Sequence, residues 1–256
     1  MYDVTILCNG MWVAPGAVIY AHPFGWREPV DIAQNFFLVE GNGHVILVDT
    51  GVDHLESYVD PGQLARLRPA PSITTQELLA AQGIAPEDVD TLVLTHLHFD
   101  HYANARLFTQ ARIVVSRTDY IHVLLPENRR YAPRDGFPRE TLAWLVDDAW
   151  ERLELVEGHT EVLPGIHTIE TGGHSPGHQI VTVQTGDGLV VIPGDAIYMY
   201  ENLESDIPIG YYYDLDQVVK AMDTIRSLGG HVLPAHDPAV RTRYPSMRIP
   251  ATSEAS

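Results

Sequence analysis

Cysteine is almost absent from this chain: Cys8 is the single thiol in 256 residues. One thiol excludes an intrachain disulfide framework and any zinc site built from several cysteines, and leaves Cys8 to be read as a small buried residue of the first strand. Positive charge is scarce as well. Sixteen Lys and Arg face 34 Asp and Glu, a formal charge of −18, so the average field repels a phosphate backbone and nucleic acid is not the expected partner. The same balance argues against an anionic membrane surface. Long apolar runs are also missing. The opening "MYDVTILCNG" has no basic stretch ahead of an apolar one, and nothing later approaches the length of a bilayer span. The expectation is a cytoplasmic protein with no membrane partner.

What the chain does have is the 45% hydrophobic content of an ordinary globular protein, enough for a sizeable core. Short runs rich in Val, Ile and Leu, bounded by Gly, Asp and Pro, read as strands: "FFLVEG", "HVILVDTG", "TLVLTH", "RIVVSR", "QIVTVQTGDG" and "LVVIPGD". Helical character falls between them. "TTQELLAAQG" has a Thr cap with Glu at capping-box spacing, "RETLAWLVDDAWERL" reads as one helix, and "DLDQVVKAMDTIRSLGG" starts on Asp and stops on Gly. "GNG" and "TGDG" predict two hairpins. The pattern predicts a single α/β domain over residues 1–256, with sheets in the middle and helices outside. Two irregular stretches, Met11 to Gln34 and Leu125 to Glu140, are candidates for lids, subunit contacts or plain surface loops.

The densest chemistry lies in "THLHFDHYAN", where His96, His98, Asp100 and His101 follow the strand "TLVLT". Donors at the exit of a buried strand can converge on one point while the sheet holds them still. Further on come His174 and His178 in "TGGHSPGH", Asp195 after "VVIPG" and His236 in "HVLPAHD", each beside a strand end. Imidazoles and carboxylates in this number suit two zinc-sized cations, because both are good ligands for such ions and a carboxylate can bridge a pair.

From "ILVDTG" to "AHD" the sequence resembles the metallo-β-lactamase superfamily. The resemblance implies an αββα four-layer sandwich with two divalent metal ions, most readily zinc, at one edge. His96, His98 and His174 would hold one ion, Asp100, His101 and His236 the other, and Asp195 would bridge them. Asp49 of "LVDTG" would orient a ligand, and His178 would pack rather than ligate. Within the superfamily, "HLHFDH", "HSPGHQ" and "GDAIY" look like the motifs of N-acyl homoserine lactonases. That likeness places Tyr198, three residues after Asp195, where those enzymes carry a phenol facing the substrate carbonyl. It implies opening of a lactone ring by a hydroxide shared between the cations, with either Asp100 passing a proton to the leaving alkoxide or metal binding stabilising it directly, and it is compatible with a homodimer.

Phe99, with Trp26, Phe36, Tyr211, Tyr212 and Tyr213, could wall an apolar substrate pocket, with core packing as the alternative for each. The chain has no Gly-x-Ser-x-Gly elbow for a covalent mechanism. Other substrates on the same metals stay open: another lactone such as 4-pyridoxolactone, or a thioester as in glyoxalase II. A metal-bearing protein without activity would be the reading if Tyr198 and the ligands were sealed from solvent.

Overall fold

From Phe36 to Val39 every side chain is buried, yet alternate residues enter different cores. Phe37 and Val39 join one apolar cluster and Phe36 and Leu38 another, because successive side chains of a strand point to opposite faces. Ile46 and Leu47, Leu92 and Val93, and Ile113 and Val114 divide in the same way. Strands buried on both faces need a covering layer on each side.

The computed structural model describes residues 1–23, 28–59, 61–68, 72–125 and 139–249. Trp26 and residues 126–138 of the second irregular stretch lie outside them. Among the described residues the strands are β1 (Tyr2–Ala14), β2 (Val30–Gly41), β3 (His44–Val48), β4 (Thr91–Val93), β5 (Arg112–Ser116), β6 (Leu153–Val156), β7 (His159–Leu163), β8 (Ile166–Glu170), β9 (Gln179–Thr185), β10 (Gly188–Ile192), β11 (His231–Val232) and β12 (Arg248–Ile249). One sheet has the order β12-β1-β2-β3-β4-β5-β6 and the other β11-β10-β9-β8-β7.

Between the sheets lies the cluster containing Val4, Phe37, Ile46, Val93 and Val114 on one side and Ile166, Val181, Val183 and Ile192 on the other. On the outer face of the larger sheet, Leu79, Trp144 and Leu145 come from the helices Thr75–Ala80 and Arg139–Val146. The helix Leu215–Leu228 covers the smaller sheet, packing Val218, Met222 and Ile225 on Ile180 and Val191. This is the αββα sandwich expected from the resemblance.

Local signals behave as their chemistry requires. Thr74 and Glu77 form a reciprocal capping box: the Glu77 amide donates to Thr74 Oγ1 at 3.2 Å and the Thr74 amide donates to Glu77 Oε2 at 3.0 Å. Asp214 caps the long helix by accepting from the Gln217 amide at 3.0 Å. β2 and β3 pair antiparallel across Asn42 and Gly43, and β9 and β10 across Gly186 and Asp187. Cys8 is buried within β1.

Other expectations need correction. Both ends of Met11–Gln34 are sheet: β1 runs to Ala14 and β2 starts at Val30, and a register shift between Cys8 and Met11 masks the alternation. β4 stops at Val93, two residues short of Thr95, whose amide bonds to a side chain instead of a strand. "RETLAWLVDDAWERL" is not one helix. It breaks after Val146 at the Asp147–Asp148 pair, and a separate turn follows at Trp150–Arg152; Asp competes for backbone hydrogen bonds inside a helix. No helix among the described residues is long and apolar enough to cross a membrane.

Candidate metal centre

β3, β4 and β5 run parallel, so the chain leaves β3 and β4 at the same edge of the sheet. There Asp49, with φ of 59°, turns its carboxylate toward the next strand. Its Oδ1 accepts from the Thr95 amide, and its Oδ2 accepts from the Thr95 hydroxyl and from His101 Nδ1, each at 2.8 Å. The bond to Asp49 puts the His101 proton on Nδ1 and leaves the Nε2 lone pair facing inward. The Thr95 hydroxyl donates its hydrogen bond to Asp49, so its oxygen can accept from His96 Nδ1 at 3.1 Å. His174 Nδ1 donates to the Tyr211 carbonyl at 2.9 Å and His236 Nδ1 to the Ala33 carbonyl at 3.0 Å. Four rings thus have one nitrogen tied outward and the other aimed into a common space.

Two groups of donors meet in that space: His96, His98, His174 and Asp195 form one, and Asp100, His101 and His236 the other. His98 Nδ1 is 3.0 Å from His96 Nε2 and 2.8 Å from His174 Nε2. Neighbouring ligands of a tetrahedral zinc sit about 3.3 Å apart when the Zn–N distance is about 2.0 Å, so these nitrogens are close to that spacing. Asp195 spans the groups. Its Oδ2 is 3.2 Å from His174 Nε2, and its Oδ1 is 3.2 Å from His101 Nε2 and 3.1 Å from His236 Nε2. Asp100 Oδ2 lies 3.7 Å from both His101 Nε2 and His236 Nε2.

His101 Nε2 and Asp195 Oδ1 are buried and lack a hydrogen-bond partner although they lie 3.2 Å apart. Orphaned buried polar atoms are costly. Divalent cations would satisfy them together with the converging lone pairs of the first group, and the donor set fits such ions. Electrostatics points the same way. Burial holds His96 and His174 well below the ordinary imidazole range and His98 at about 4, leaving neutral rings of the kind metals bind. At His101 and His236 burial is outweighed by Asp195 and Asp100, which raise both pKa values. Positive charge is favoured at that end of the cluster.

Residues that the motifs did not reveal hold the cluster from behind. Gln34 Nε2 donates to the Asp100 carbonyl at 2.8 Å. Asp119 accepts from Leu97, Ser175 and Gly177, and burial still pushes its carboxyl up to about 6. Neither residue lies in a recognisable pattern, and no local sequence signal would have found them. His178 sits as expected, outside both groups. Its Nε2 accepts from the Asp195 amide at 3.0 Å and its Nδ1 lies 3.2 Å from Thr171 Oγ1, so both nitrogens are engaged. Gly194 makes this approach feasible: it has φ of 52°, and a Cβ there would come within 2.7 Å of His178 Nε2.

Tyr198 is 4% exposed, its ring packed on His174 and His236 and its hydroxyl 3.4 Å from His174 Nδ1. Burial, then Asp195 and Asp100, hold the phenol well above its usual pKa. One side of the cluster, at His98 and His174, borders a cavity of about 340 Å³ that is also lined by His122, Val123 and Tyr211–Tyr213. The three tyrosines therefore act as a wall. Phe36 does not: it is wholly buried in the core beneath the outer helices, on the face opposite Phe37. Phe99 stacks between Trp12 and Tyr58, 6.1 Å from each ring, and stands apart from the residues lining that cavity.

An αββα sandwich with two histidine and carboxylate groups at its strand ends defines a class of metal-binding folds. The chain belongs to the metallo-beta-lactamase superfamily, whose family model matches residues 30–236. It is 32% identical over 181 residues to an N-acyl homoserine lactonase of Bacillus cereus, covering 67% of each chain. It is 26% identical over 212 residues to the N-acyl homoserine lactonase AiiB of Agrobacterium fabrum, covering 77% of this chain and 73% of that one. In fold it superposes on an N-acyl homoserine lactone hydrolase solved with N-hexanoyl-L-homoserine at its catalytic metal centre. That match has a TM-score of 0.76, 24% identity, and coverage of 94% of this chain and 95% of the other.

Proposed function

We propose that this protein is a metal-dependent hydrolase that opens the ring of N-acyl homoserine lactones. The observation that carries the reading is the Asp195 carboxylate, which turns one oxygen toward each histidine group, in a chain 32% identical to such a lactonase. Donors come from the ends of strands in both sheets, which supports treating residues 1–256 as one functional unit. Zinc is the proposed metal, because five imidazoles with two carboxylates are donors of its preferred kind.

His96, His98, His174 and Asp195 would hold one cation and Asp100, His101 and His236 the other; when bound, such ions would supply hydroxide from water at neutral pH and Lewis acidity toward a carbonyl. The rest falls to the chain. Tyr198 stays protonated because its pKa is held high, and it donates a hydrogen bond to the carbonyl oxygen as negative charge develops there. Asp100 takes up the proton that water loses on becoming the nucleophile and returns it to the ring oxygen as the C–O bond breaks, giving the hydroxyl of the product. Asp49, Thr95 and the carbonyls of Ala33 and Tyr211 keep the imidazoles oriented while this happens. Tyr211–Tyr213, which line the cavity beside His98 and His174, offer an aromatic surface for the acyl chain.

The test is hydrolysis by metal-loaded protein of short- and long-chain acyl homoserine lactones, an unrelated aromatic lactone, 4-pyridoxolactone and a glutathione thioester. Ring opening of the homoserine lactones, abolished by chelator and restored by zinc, is expected. Turnover confined to another substrate would keep the metal hydrolase and replace its substrate; no turnover of any of them would overturn the reading.

A further inference from the structure

Asp119 sits in the first turn of the helix Arg117–Leu124. A carboxylate there ordinarily faces water and complements the helix dipole. This one is 2% exposed, and the helix start is capped by Ser116, which accepts from the Asp119 amide at 3.3 Å. The Asp119 side chain is spent elsewhere. Its Oδ2 accepts from the Leu97 amide at 3.3 Å and the Ser175 hydroxyl at 3.0 Å, and its Oδ1 accepts from the Gly177 amide at 2.8 Å. Burying a carboxylate among neutral donors is expensive, so the interactions it makes call for an explanation.

Their location supplies one. Leu97 lies between His96 and His98, while Ser175 follows His174 directly. Asp119 therefore joins the two loops whose nitrogens, His98 Nδ1 and His174 Nε2, meet at 2.8 Å. Gly177 reinforces the junction, since a Cβ there would lie 2.3 Å from both the Asp119 amide nitrogen and Ser116 Oγ. The other half of the cluster is held by different means: His101 by Asp49, His236 by the Ala33 carbonyl, and the Asp100 backbone by Gln34.

We propose that Asp119 is a positioning residue for one metal position only, setting the spacing of His96, His98 and His174 and leaving Asp100, His101 and His236 to their own supports. The inference rests on the metal reading above. Its consequence is an asymmetry: loss of Asp119 should empty one position and spare the other.

The experiment is zinc binding by the full chain in competition with a chromophoric chelator, for wild type, Asp119→Ala, Asp119→Asn and Ser175→Ala. Wild type should bind two ions. Both Asp119 variants should show one site weakened about 10- to 100-fold, the range for groups that orient ligands, with the second unchanged. Asparagine cannot rescue, because its NH2 must face one of the donors the carboxylate now receives. Ser175→Ala removes one bond of the three and should weaken the same site by a smaller factor, which keeps the test available if an Asp119 variant fails to fold. Equal weakening of both sites, or unchanged zinc binding with only a lower Tm of the metal-free protein, would overturn the proposal. A wild-type chain that takes up no zinc would instead sink the metal reading, and this proposal with it.

Discussion

Asp49 Oδ2 lies 2.8 Å from His101 Nδ1. The contact selects the tautomer that leaves Nε2 free to ligate. Asp49→Ala should lower zinc affinity about 10- to 100-fold. Asp49→Asn should do no better, because its amide NH2 would meet His101 Nδ1 as a donor and push the ring proton onto Nε2. Chelator competition measures both, and near wild-type affinity in the asparagine variant would refute the tautomer argument.

Tyr198→Phe should retain both metals and slow turnover by about two to three powers of ten, the size of a lost oxyanion contact. Metal analysis beside kcat and kcat/KM tests this. Undiminished turnover removes the phenol from the reaction.

Gly194→Ala should act on both metal positions together. The added Cβ would crowd His178 Nε2 at 2.7 Å and the Thr95 Cβ at 2.9 Å, displacing the neighbouring Asp195, whose two oxygens face opposite groups. Titration of the variant should show the two sites weakened alike, in contrast to the one-sided loss expected at Asp119. Loss at a single site would count against Asp195 as the link.

Acid should destabilise the metal-free chain through His178. Burial lowers its pKa from 6.5 to about 3, so the folded state refuses a proton that the unfolded state accepts. Its stabilising contribution is complete above pH 6.5 and is lost as pH falls toward 3, by up to about 1.4 kcal/mol per pH unit. Urea midpoints at pH 7, 6 and 5 should fall more steeply for the wild type than for His178→Asn, which cannot titrate. Equal slopes would show that His178 is not the group responsible.

Much of the site was legible because its chemistry is local in sequence. His96, His98, Asp100 and His101 fall within six positions at a strand exit, and the capping box at Thr74 and Glu77 is complete in four. His174, Asp195 and His236 were found because each follows or precedes a short apolar run that could only be a strand. Asp119 and Gln34 carry no such mark. Their partners are 22 to 66 residues away, and only packing of the two sheets brings them within reach.

Phe36 and Phe37 show where the boundary falls. The sequence alone determined that both are buried strand residues, since a continuous apolar run excludes a solvent-facing side. It could not assign either to a face, because with both faces covered the alternation of apolar and polar residues that reports direction is gone. By itself the sequence also determined which donors exist and in what order. Only the tertiary structure decided that one Asp195 oxygen faces each histidine group, that Tyr211–Tyr213 rather than Phe36 line the cavity, and that Asp119 ties together the loops of one half. Those relationships depend on distances set by sheet twist and interlayer packing, which no short segment of the chain encodes.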